Sequence, residues 1–83
     1  MTKTPAELLT LAVAKAMAAA PVPVRDIARR AGVSHAFLHR IAQGQVRCSE
    51  RVGARVAKAL EAIAAEAEAA ARILRRSHER GAR

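Results

Sequence analysis

Residues 27–41 read Ile27-Ala28-Arg29-Arg30-Ala31-Gly32-Val33-Ser34-His35-Ala36-Phe37-Leu38-His39-Arg40-Ile41, and this stretch decides the fold. Ile27, Ala31, Val33, Leu38 and Ile41 fall where two short crossed helices share a core. Ala28 is small where the second helix must pass closely over the first, and Gly32 can take positive φ in the sharp turn between them. Ser34 is an N-cap residue for the second helix, and Gly44 with Gln43 ahead of it reads as that helix's C-terminal cap. Residues 24–43 therefore form a helix-turn-helix of about 20 residues.

Upstream, Thr4-Pro5-Ala6-Glu7 combines an N-cap residue, a proline at the first helical position and a glutamate three residues after the cap. Leu8, Leu11, Ala12, Ala16 and Ala19 recur at threes and fours, so the first helix runs to about Ala19 with Leu8, Leu11 and Val13 toward the core. Pro21 and Pro23 stop it; Pro23 also suits the first turn of a second helix through Ala31, where Asp26 complements the N-terminal dipole. Downstream of Ser49, Val52, Val56, Leu60 (or Ala59), Ile63, Ala67, Ala70 and Leu74 recur at alternating fours and threes, with no proline. Gly53 is the only weak helix former before Ser77. A helix from Glu50 to about His78 would be about 43 Å long, more than the small core can cover. The expected organisation is a helix-turn-helix domain over residues 1–62 and a C-terminal helical extension for dimerisation, with a basic tail, over 63–83. Ile63, Ala67, Ala70, Ile73 and Leu74 then form a narrow, alanine-rich dimerisation stripe; the alternative is a break between 64 and 71 that folds the helix back.

Composition narrows the classes. The chain has 83 residues, 22 of them alanine, one Phe and neither Trp nor Tyr. One domain fits this length, and its core is thin because alanine buries little area. A lone Cys48 forms no intramolecular disulfide, which makes oligomerisation the expected staple. Fifteen Lys and Arg against seven Asp and Glu give a net charge of +8, pointing to a polyanion. No run is long and apolar enough for a bilayer, and the N-terminus lacks the order of a signal peptide, so a cytoplasmic chain is expected. No zinc pair, phosphate loop, nucleophile motif or internal repeat occurs, which argues against an enzyme and against a cofactor.

The central segment resembles the helix-turn-helix of the lambda-repressor-like family, the small regulators of Cro/C1 or XRE type. The resemblance covers about residues 22–60: Ala28, the Gly32-Val33-Ser34 turn, the Leu38 and Ile41 core pair, Arg40, Gly44, and the capped helix from Ser49. LacI-type headpieces share much of the pattern. Val24 stands where the family commonly has a polar residue, and two short C-terminal helices of the family are fused here into one.

On a helix capped at Ser34, the side chains of His35, Ala36, His39 and Arg40 lie opposite Leu38 and Ile41. By resemblance, His35, Ala36 and Arg40 occupy base-reading positions. Arg40 can fork onto guanine O6 and N7, His35 can reach a purine edge, and Ala36 can touch a thymine methyl. Phosphate contacts are expected from Arg25, Ser34, Gln43, Gln45, Arg47, Ser49 and Arg51. Residues 25–58 hold eight Arg or Lys against Asp26 and Glu50, whereas 59–71 carry only Glu61, Glu66 and Glu68. Phe37 is expected to pack against the loop after Gly44. Arg29, Arg30, Arg55 and Lys58 read as a solvated face, and Cys48 as a small loop filler. His35 and His39 have no carboxylate or thiol beside them in the sequence pattern, so no metal is expected. The arginines at 72, 75, 76, 80 and 83 read as a solvated, frayed tail.

Together with the resemblance, these readings imply an all-α bundle of four or five helices with a long C-terminal helix. The implied function is a homodimeric repressor of phage or plasmid type on an inverted-repeat operator in double-stranded DNA, with no membrane partner and no small-molecule effector. The rival expectation is an antitoxin or anti-repressor adaptor whose functional surface is the long helix.

Overall fold

Four helices account for most of the chain in the computed structural model, which describes residues 2–81: α1 (Pro5–Ala19), α2 (Val24–Ala31), α3 (His35–Ala42) and α4 (Glu50–Gly81). The fold is all-α, with no strand among the described residues.

Local chemistry sets most of the boundaries. Thr4 Oγ1 accepts the Glu7 amide at 3.2 Å, with Pro5 in the first turn, and the chain leaves α1 in extended geometry at Ala20 ahead of Pro21. Pro23 stands at the N-cap of α2 rather than inside its first turn. Gly32 has φ +70°, the left-handed geometry that lets the Val33 amide reach the Ala28 carbonyl at 3.0 Å and close the end of α2. Ser34 Oγ then accepts the Phe37 amide at 3.0 Å and starts α3. The same device ends α3: Gly44 has φ +74°, its amide donates to Ile41, and the Gln45 amide donates to the Arg40 carbonyl at 2.9 Å. Ser49 Oγ accepts the Val52 amide at the start of α4.

The core gathers one side of every helix. Ile27, Leu38, Ile41 and Val56 are almost wholly buried, with Met17, Ala28, Ala31, Val13, Ala59 and Ile63 around them. Phe37 and Val46 are half-buried at its edge. Of the face expected of α1, Val13 is buried but Leu8 and Leu11 are exposed; Thr10 and Met17 are buried instead, with Leu9 half-buried beside them. Alanine makes α1 apolar on nearly every side, so hydrophobicity does not choose its face. Two tertiary contacts do. Thr10 Oγ1 accepts the buried Cys48 amide at 2.8 Å while donating to the Ala6 carbonyl, joining α1 to the α3–α4 loop. Gly53 lies where α1 and α4 approach, and a Cβ there would stand 3.3 Å from Leu9 Cδ1.

The fourth helix is continuous through residues 64–71 and does not fold back. No joint occurs at residue 62. Ile63 is only 7% exposed and closes the domain's own core, so of the expected dimerisation stripe it is the member that is not available to a partner. Ala67, Ala70, Ile73 and Leu74 are exposed.

Candidate nucleic-acid interface

The second helix of the motif is fixed from behind and open in front. Leu38 and Ile41 are fully buried, which anchors α3 against α1 and α2. Residues at i, i+1, i+4 and i+5 share one side of a helix, and His35, Ala36, His39 and Arg40 are all exposed. The His35 and His39 rings lie with centroids 6.1 Å apart, tilted by 52°. Among the described residues Arg40 makes no ion pair. Among the described residues no three His, Cys, Asp or Glu side chains gather as a metal site.

The polar set expected around this helix is on the surface throughout. Arg25 stands in the first turn of α2, Gln43 and Gln45 flank Gly44, and Ser49 and Arg51 open α4, all exposed. Ser34 and Ser49 use their hydroxyl oxygens as acceptors for helix amides, leaving each hydroxyl proton free to donate outward. Arg47 is placed differently from a free phosphate ligand: its Nη2 lies 3.5 Å from Glu7 Oε1 on α1. Arg47, Gln45, Glu7 and Lys3 share a hollow of about 360 Å³ between the start of α1 and the α3–α4 loop. Lys3 thereby stands beside the basic set, which the sequence does not signal because 42 residues separate it from Gln45 and only the fold brings the two to one hollow.

Arg30 also departs from the solvated role expected of it. It clasps the Glu66 carboxylate with both terminal guanidinium nitrogens, Nη1 at 2.9 Å, joining α2 to α4. The Glu66 carboxyl is held below its ordinary range by that hydrogen bond, and the Arg30 guanidinium is pushed up by it. Arg29 pairs locally with Asp26 at 3.4 Å. No sequence signal marks the Arg30 pair, since 36 residues separate its partners.

Cys48 is 2% exposed, and burial pushes its thiol up, away from the reactive thiolate. Its backbone is the partner of Thr10, so this residue ties the loop down. In the tail, Arg75 pairs with Glu68 at 3.3 Å. Arg83 lies outside the described residues.

A profile of the helix-turn-helix domain matches residues 9–71, about three-quarters of the chain. No curated protein matches, and no solved structure does. No single helix among the described residues is long and apolar enough to cross a membrane.

Proposed function

The chain belongs to the helix-turn-helix domain family of DNA-binding regulators, and on that premise we propose that it is a sequence-specific repressor of phage or plasmid type. In this reading two copies occupy an inverted-repeat operator and block transcription by occupancy. The observation that carries it is α3 itself: a short helix whose back is wholly buried and whose front presents two histidines, an alanine and an unpaired arginine.

An α-helix fits the major groove with its N-terminal residues toward the base edges. Arg40 is the fork for guanine O6 and N7, His35 a donor or acceptor at a purine edge, Ala36 a surface for a thymine methyl, and His39 completes the ridge. Arg25, Ser34, Gln43, Gln45, Ser49 and Arg51 hold the phosphates on either side, with the α4 amides behind Ser49 favouring an anion. Arg47 joins them by exchanging Glu7 for phosphate. A net charge of +8 draws the protein to DNA before any base is read. Ala67, Ala70, Ile73 and Leu74 are the surface on which the second copy packs, and half-site centres then lie about 34 Å apart or a multiple of that.

Selection of bound fragments from random duplex DNA tests this reading. The expected product is one palindromic consensus with that spacing; recovery of unrelated sequences would reject base reading by α3.

A further inference from the structure

Beyond Ile63, the last buried residue of α4, residues 64–81 project as a rod of about 27 Å. The molecule measures 60 × 28 × 18 Å. Two features of this rod constrain what can cover it. The first is shape. Ala67, Ala70 and Leu74 continue the spacing of the buried stripe past the core, and Ile73 and Leu74 are 66% and 71% exposed. At the rod's base an apolar groove of about 250 Å³ lies between the end of α1 and α4, lined by Ala16, Ala20, Pro21, Leu60, Ala64 and Ala67.

The second is charge. The rod begins acidic, with Glu66 and Glu68 and with Glu61 just before it, and ends basic, with Arg72, Arg75, Arg76 and Arg80 against Glu79. Glu66 is engaged by Arg30 and Glu68 by Arg75. Among the described residues, Glu61, Arg72, Arg76 and Arg80 make no ion pair within the chain.

We propose that two copies pair antiparallel through these rods, with Leu74 of each seated in the apolar groove at the base of its partner's rod. The proposal rests on the homodimer reading above and fixes its geometry. A parallel pair would set acidic turns beside acidic turns and basic beside basic, which is destabilising, whereas an antiparallel pair sets each acidic half beside a basic half. Seating Leu74 beside the partner's Ala67 brings Arg80 level with the partner's Glu61, and sets Arg76 and Arg72 each within one residue of the partner's Glu66 and the partner's Glu68. Arg80 and Glu61, neither of which is in an ion pair within the chain among the described residues, thereby meet in the same register that places the exposed leucine in an apolar groove. A membrane surface is disfavoured because acidic side chains stand along the same rod, and the chain offers no Trp or Tyr to anchor it.

Spin labels on the full-length Glu79→Cys variant, which leaves the orienting charges in place, test the orientation; Cys48 is buried and left in place. In the antiparallel pair the two labelled positions are offset by 17 residues along the rods, giving a separation of about 27 Å. A parallel pair holds them about 10 to 20 Å apart, near the spacing of two packed helices. A dimer with the short distance would overturn the proposal while leaving the homodimer standing. A monomer in sedimentation would overturn both and leave the rod to a different partner. Leu74→Asp, at an exposed position that leaves the domain core intact, should raise the dimer dissociation constant at least tenfold. Unchanged dimerisation of that variant would remove Leu74 from the groove.

Discussion

Gly32 sits at φ +70°, where an L side chain is strained whatever space surrounds it. Gly32→Val should therefore destabilise the domain by about 1 to 3 kcal/mol, read as a lowered midpoint in thermal unfolding; an unchanged midpoint would remove the left-handed turn from the account. Thr10 is the other single residue whose loss is sharply predicted. Thr10→Val keeps the shape but strands the buried Cys48 amide, at a cost of about 1 to 3 kcal/mol. Equilibrium denaturation checks it, and an effect near zero would mean that water or another acceptor replaces the hydroxyl. Arg40, which makes no ion pair among the described residues, is the residue proposed to read a base. Arg40→Ala should cost about 1 to 3 kcal/mol on the selected DNA site and relax the preference at one base pair. Equal weakening on selected and random duplexes, measured side by side, would assign Arg40 to phosphate instead.

Between elements, the contacts that orient α1 and α4 are few and specific. Gly53 admits Leu9 where the two helices approach, and Arg30 holds α2 to α4 through Glu66. Glu66 titrates below its ordinary range because Arg30 hydrogen-bonds the charged form, with Asp26 the other carboxylate near that guanidinium. A carboxyl whose folded pKa lies below its unfolded one stabilises the fold at neutral pH, and that contribution disappears as pH falls through the folded value. The melting temperature of the native protein should fall more steeply on acidification into the carboxylate range than that of Glu66→Gln. The difference is small, because the pair is exposed to water. Identical slopes for the two proteins would show that the pair contributes nothing in solution.

At the scale of the whole molecule, a small basic body carries a rod that changes sign along its length. All of the buried residues lie before Ala71, and the helix-turn-helix match ends there too. If the rods pair as proposed, a chain ending at residue 71 should keep its cooperative unfolding and sediment as a monomer while the full chain sediments as a dimer. A chain ending at 62 loses Ile63 from the core and Glu66 from Arg30, so it should unfold at lower temperature than the longer truncation. Equal melting of the two truncations would place the end of the domain before Ile63.

Much of this architecture is written in short stretches of chain. The caps at Thr4, Ser34 and Ser49 and the glycines at 32 and 44 act within a few residues of themselves, and so the helix ends and the exposed face of α3 follow directly from the residue order. The length of α4 follows in the same way, from an uninterrupted run without proline. The face that α1 buries does not, since alanine makes its sides nearly equal and the choice falls to Thr10 meeting Cys48 and Leu9 meeting Gly53. Nor do the partners of Arg30 and Arg47 or the loss of Ile63 to the core, because each depends on side chains about 35 to 50 residues apart that only packing brings within reach. Local hydrogen bonding and helix periodicity are properties of neighbouring residues, while the pairing of distant ones is decided by how the helices cross.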